Sequence, residues 1–140
     1  MSHKKILIVD DDADTLLGYN VLLKAHHYDT VLAGDGVSAI REALEHQPDL
    51  MILDLGLPVA DGLSVLEWFR GDTHLSAIPI IVVSARDYHV NMGLALKQGA
   101  KAYMQKPWND DEMLALIGRL LDPPELNCND SLSIPVLSLE

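Results

Sequence analysis

The sequence predicts an α/β protein with a parallel, doubly wound sheet. Two observations carry this expectation. Five short apolar runs alternate with five segments of helical period along the chain. The runs are continuous and rich in β-branched residues, as strands covered on both faces require. With 140 residues, 49% of them hydrophobic and 22% charged, the chain suits one such domain with an ordinary core and a solvated surface.

Ile6 to Val9 is the first run, a buried-type strand. Asp12 to about His26 follows as a helix. Its acidic start suits the helix dipole, and Leu16, Leu17 and Leu23 are placed on its inner side. Thr30 to Ala33 is a weaker strand, and Gly34-Asp35-Gly36 is a turn. Val37, Ile40 and Leu44 then recur at i, i+3 and i+7 on a second helix, which Pro48 ends. Leu50 to Leu53 is a third strand, reaching Asp54. A loop with Gly56 and Pro58 leads to Asp61, a suitable N-cap for a third helix carrying Val65, Leu66 and Phe69.

Pro79 opens the strand Ile80 to Val83, which ends at Ser84. A fourth helix spans Asp87 to Gln98, with Gly99 in the position that favours a left-handed residue. Lys101 to Gln105 is the fifth strand. Asn109 or Asp110 caps a last helix with Met113, Leu114, Ile117, Leu120 and Leu121 inward. Right-handed crossovers between parallel strands place helices on both faces of the sheet, but periodicity leaves the strand order open. From Asp122 the character changes. Pro123-Pro124 stops the helix, a polar stretch follows, and Leu132 to Leu139 has no clear period. Residues 1–122 are therefore read as the domain, and residues 123–140 as a tail, linker or docking segment.

Acidic residues outnumber basic ones 21 to 10, a formal net charge of −11. Such a surface repels nucleic acid and anionic membrane, so neither is expected as a direct partner. Cys128 is the only cysteine, which excludes an internal disulfide and suits a reducing compartment. No apolar run approaches the roughly 20 residues of a membrane span. A cytoplasmic location is the expectation.

In open α/β sheets, ligands bind beyond the carboxyl ends of the strands. Asp10, Asp11 and Asp12 follow the first strand, Asp54 the third, Ser84 the fourth and Lys106 the fifth. Carboxylates gathered there repel one another unless a cation intervenes. A hard divalent ion such as Mg²⁺ suits all-oxygen ligands. A lysine and a small hydroxyl can hold phosphoryl oxygens, leaving one carboxylate as a nucleophile able to form an aspartyl phosphate. Each piece alone has a bland reading: an acidic helix start, a turn serine, a solvated Lys-Pro loop. Chemically complementary groups at four strand ends together favour a site.

These residues resemble the receiver domain of response regulators over about residues 4–121. Ile6 to Asp12 is similar to the family's first strand and acidic pair, and Met51 to Pro58 with Asp61-Gly62 to its phosphorylation strand and loop. Ile80 to Ala85 is similar to the strand with the conserved hydroxyl, and Gly99 to Pro107 to the last strand with its lysine. The separations, 30 residues from Asp54 to Ser84 and 22 from there to Lys106, fit as well.

The resemblance implies a flavodoxin-like three-layer sandwich with strand order 2-1-3-4-5, an order for which the family is a standard example. It implies that Asp54 accepts phosphate from a sensor histidine kinase or phosphotransfer protein. Asp11, Asp54 and the Gly56 carbonyl would bind Mg²⁺ directly, and Asp10 through a water. Ser84 and Lys106 would contact the phosphoryl group, and Tyr103 would change rotamer as Ser84 moves. The Lys106–Pro107 bond would be cis, which only an X-Pro bond permits cheaply. The implied output is a fused domain or a separate partner, with homodimerisation through the fourth helix, fifth strand and fifth helix as a family option. The chain would be a switch that catalyses only its own phosphotransfer and dephosphorylation.

Two other readings compete. A phosphate-independent interaction module on the same scaffold is the alternative, although such variants usually lose site residues and this chain keeps them. A dehalogenase-type hydrolase needs a second acid two residues after its nucleophile, where this chain has Gly56. Ser84 stands where threonine is commoner and Trp108 where phenylalanine is frequent, while Gly56 and Arg86 occupy places that tune phosphate lifetime. The six histidines show no metal-site spacing and read as surface residues. Gly34-Asp35-Gly36 lacks the spacing of a nucleotide loop. Trp68 and Phe69 are expected to divide between surface and core. Tyr88 and Tyr103 are expected to be partly exposed, with a core or turn role the safer reading for Tyr88.

Overall fold

The computed structural model describes residues 3–55, 62–85 and 88–121. Five strands, β1 (Lys5–Val9), β2 (Asp29–Ala33), β3 (Leu50–Asp54), β4 (Ile80–Ser84) and β5 (Ala102–Gln105), alternate with five helices. These are α1 (Ala13–Ala25), α2 (Gly36–His46), α3 (Gly62–Gly71), α4 (Tyr88–Lys97) and α5 (Asp110–Leu121). The strands pair in parallel in the order β2-β1-β3-β4-β5. Sequence boundaries agree with these within one or two residues. A short 3₁₀ turn, Leu75–Ala77, was not anticipated; the Asp72 carboxylate accepts from the His74 and Leu75 amides just before it.

Side chains alternate along each strand and feed two cores. Leu7, Val9, Met51, Leu53 and Val82 pack beneath α2, α3 and α4 with Ala39, Val65, Phe69 and Ala95. Ile6, Ile8, Ile52, Ile81 and Val83 pack beneath α1 and α5 with Tyr19, Leu23, Met113 and Ile117. This two-sided burial explains why the strands read as unbroken apolar runs. The helix starts follow local chemistry. Asp12 caps α1 by accepting from the Asp14 amide, and Asp35 caps α2 by accepting from the Ser38 amide at 2.8 Å. Gly99 has φ +108°, the left-handed conformation its position after α4 predicted.

One helical face differs from expectation, and a second is set by the packing. On α1, Leu23 and Tyr19 are buried, but Leu17 is 60% exposed. On α2, Ala39 and Ala43 face the sheet, Ile40 is half-buried, and Val37 and Leu44 are 59% and 51% exposed. The i, i+3, i+7 pattern correctly placed a helix here, and of its three residues only Ile40 packs against the core. Close packing over β1 and β2 takes the small alanines inward, so the large residues turn out. Trp68 is exposed and Phe69 buried, as expected. Asp61, Gly56, Pro58, Arg86 and residues 123–140 lie outside the described residues, as does the Tyr88 side chain.

Candidate phosphoacceptor site

The parallel sheet brings the carboxyl ends of β1, β3, β4 and β5 to one edge, and the predicted polar groups meet there. Asp54, the last residue of β3, is buried. Asp10 follows β1 and is 1% exposed, its amide donating to the Ala33 carbonyl. Lys106 follows β5, anchored by its amide to the Ser84 carbonyl at 2.9 Å, and its bond to Pro107 is cis. Its ammonium donates to Asp10 Oδ2 at 2.9 Å and lies 3.4 Å from Asp54 Oδ2. Ser84, the last residue of β4, is buried beside this group through its pairing with Gln105.

Asp10, Asp11 and Asp54 each offer a carboxylate oxygen within 4.8 Å of the others. Three acids against one ammonium leave a local excess of negative charge, which a hard cation with oxygen ligands would relieve. The donor set fits Mg²⁺ by hardness and by charge. Asp12 has a different task. Its carboxylate takes the Thr15 hydroxyl at 2.7 Å and the Asp14 amide, and these hydrogen bonds hold its pKa below the ordinary aspartate value. Burial by itself would lower the Lys106 pKa. The Asp10 hydrogen bond and the Asp54 charge outweigh it and hold the value above that of a free lysine.

Two aromatic residues refine the picture. Tyr103 was expected to be partly exposed, but it is 1% exposed and packed in the α2–α4 core. A four-residue edge strand covered by α4 leaves its ring an inward path. Tyr19, which the sequence reading passed over, stacks on Trp108 with ring centroids 4.8 Å apart and planes tilted by 20°. Burial, then the charges of Asp10, Asp54 and Asp110, push its phenol pKa far up, so it stays neutral. Its i+3 and i−4 spacing from Leu16 and Leu23 was the available signal. A second set of potential ligands, Glu42, Glu45 and His46, lies on one turn of α2. There His46 Nε2 already pairs with Glu42 at 3.1 Å, an ordinary i,i+4 surface contact.

Doubly wound topology with acids, hydroxyl and lysine at the switch edge defines the class: a receiver-type α/β domain. The sequence profile of the response regulator receiver domain matches residues 6–118, and the chain belongs to that family, the receivers of two-component signalling. It is 36% identical over 115 residues to the DNA-binding response regulator MtrA of Mycobacterium tuberculosis, covering 82% of this chain and 49% of that protein. It is 42% identical over 110 residues to the transcriptional regulatory protein KdpE of the same species, covering 79% and 47%. The chain thus spans about half the length of the curated relatives it matches.

Among solved structures, a CheY-like receiver domain protein of Methanospirillum hungatei superposes with TM-score 0.81 at 29% identity, covering 86% of this chain and 95% of that one. The receiver domain of the sensor histidine kinase PA1611 of Pseudomonas aeruginosa superposes with TM-score 0.79 at 27% identity, covering 86% and 98%. That structure holds a magnesium ion in its active-site cleft. Among the described residues no helix is long and apolar enough to cross a membrane.

Proposed function

We propose that Asp54 is the phosphoacceptor of a two-component relay. The observation that carries this is its position: a buried carboxylate at a strand end, 3.4 Å from the Lys106 ammonium and within ligand distance of Asp10 and Asp11. A carboxylate oxygen of Asp54 attacks the phosphorus of a phosphohistidine on a kinase or phosphotransfer protein. The P–O bond forms as the P–N bond breaks, and the imidazole nitrogen leaves with its electron pair and takes up a proton. Asp10, Asp11 and Asp54 are the residues that would hold Mg²⁺, with the Gly56 carbonyl as a further ligand. Bound there, the ion offsets charge on the phosphoryl oxygens.

Lys106 then exchanges part of its contact with the carboxylates for a phosphoryl oxygen, and the Ser84 hydroxyl donates to another. The phosphoryl group adds about −1.5 to −2 charges and three acceptors at one point. Movement of Ser84 toward it changes the packing around Tyr103, whose ring is already buried beneath α4. Output lies in a domain or partner beyond residues 1–122, in keeping with relatives twice as long that are DNA-binding regulators. Hydrolysis of its own aspartyl phosphate is the only turnover proposed.

Incubation with Mg²⁺ and acetyl phosphate should add one phosphoryl group by intact-mass spectrometry, labile to hydroxylamine. The Asp54→Asn protein should gain none. Equal, acid-stable phosphate on Asp54→Asn would overturn the assignment.

A further inference from the structure

Val37, Leu44 and Trp68 present an apolar surface that the phosphoacceptor site does not use. They line a shallow cleft of about 600 Å³ between α2 and α3, with Ile40 at its floor and Arg41 and Glu45 on its rim. The two aliphatic residues are more than half exposed and Trp68 is 63% exposed. The cleft lies on the face opposite α1 and α5. We propose that it is occupied by the chain's own segment Leu132–Leu137, folded back beneath the domain.

Three observations support this occupant. The segment reads Leu132-Ser133-Ile134-Pro135-Val136-Leu137. Extended, it places Leu132, Ile134 and Val136 on one side, as a chain laid along a groove between two helices requires. Reach is sufficient. Helix α5 starts at the carboxyl edge of the sheet, and its 12 residues span about 18 Å, the length of a strand, so Leu121 returns to the opposite edge. Helix α2 ends at that same edge, where the Asp49 amide after it donates to the Lys5 carbonyl at the start of β1. The ten residues 122–131 can extend roughly 33 Å, about the width of a domain this size. Pro123-Pro124 favours such an extended exit.

The third argument is concentration. A segment tethered by a short linker sees its site at about millimolar effective concentration, well above a second copy at micromolar levels. Leu17 and Val21, one turn apart on α1, are also exposed and lie on the other face of the sheet, so they serve as the comparison surface. The acidic residue Asp130, just before the segment, is suited to the Arg41 side of the rim.

Cys128 is the only cysteine and stands four residues before Leu132, so it is a natural probe position. A nitroxide on Cys128 of the full ¹⁵N-labelled chain should broaden the amide signals of Val37 and Leu44 and the Trp68 indole signal. Leu17 and Val21 should be spared. The Leu44→Arg and Ile134→Asp variants should each restore sharp signals with a melting temperature that shows the domain still folded. Broadening confined to α1, or absent everywhere, would overturn the proposal. So would broadening seen when nitroxide-labelled unenriched chain is mixed with unlabelled ¹⁵N chain, since that assigns the cleft to a second copy. Because no phosphodonor is present, the result is independent of the role of Asp54.

Discussion

Lys106 pairs with both Asp10 and Asp54, and its removal and that of Asp54 should have opposite effects. Lys106→Met leaves a buried Asp10 without its ammonium partner and should destabilise the domain by about 1–3 kcal/mol, a range discounted for the lysine's partial exposure. Asp54→Asn removes one of three mutually repelling acids and should raise the melting temperature in EDTA. Mg²⁺ should stabilise the wild type by about 1.4 kcal/mol at ten times its Kd, and Asp54→Asn by clearly less. Thermal melts of the three proteins with and without Mg²⁺ check all three signs.

The raised Lys106 pKa also sets a pH window. A group whose folded pKa lies above its unfolded value contributes stability that is complete below the unfolded value, about 10.4 for lysine. That contribution is lost as pH rises through the higher folded value. The stability gap between wild type and Lys106→Met in urea melts should therefore hold steady from pH 8 to about 10 and narrow above it. A gap that closes below pH 9 would contradict the Asp10 and Asp54 contacts as the cause.

Helix α3 shows how one element separates two adjacent aromatic residues. Phe69 is 1% exposed in the α2–α4 core, so Phe69→Ala should cost about 3–5 kcal/mol. Trp68 points outward, and Trp68→Ser should change domain stability by no more than about 0.5 kcal/mol once residues 123–140 are deleted. At the end of α4, Gly99 holds φ +108°, and an added Cβ would meet only the Arg70 Cδ at 3.8 Å, an ordinary contact. The cost of Gly99→Ala is then backbone strain alone, about 1–2 kcal/mol in denaturant melts.

Over the whole molecule, charge is the dominant global feature. A net charge of −11 on 140 residues concentrates repulsion in the folded state, most sharply where three acids converge. Screening should relieve it, so the melting temperature in EDTA should rise from 10 mM to 300 mM NaCl, and rise less for Asp54→Asn. A fall with salt would mean that ion pairs, not repulsion, govern the balance.

The sequence by itself determined the alternation of elements, the two-sided sheet and the set of polar groups at its strand ends. These follow from local causes. A strand buried on both faces must be apolar throughout, and Asp54, Ser84 and Lys106 announce themselves by interrupting such runs. Asp12 and Asp35 cap helices through neighbours only two or three residues away. Tertiary structure alone decided which face of α2 turns inward, whereas the inward faces of α3 and α5 were legible in the sequence. On α2 the alanines pack on the sheet and Val37 and Leu44 face out, because the close approach of the helix to β1 and β2 favours small side chains on the buried face. It likewise buried Tyr103, stacked Tyr19 on Trp108 and set Lys106 between Asp10 and Asp54. Each joins residues from distant elements, and only the packed sheet brings them within reach.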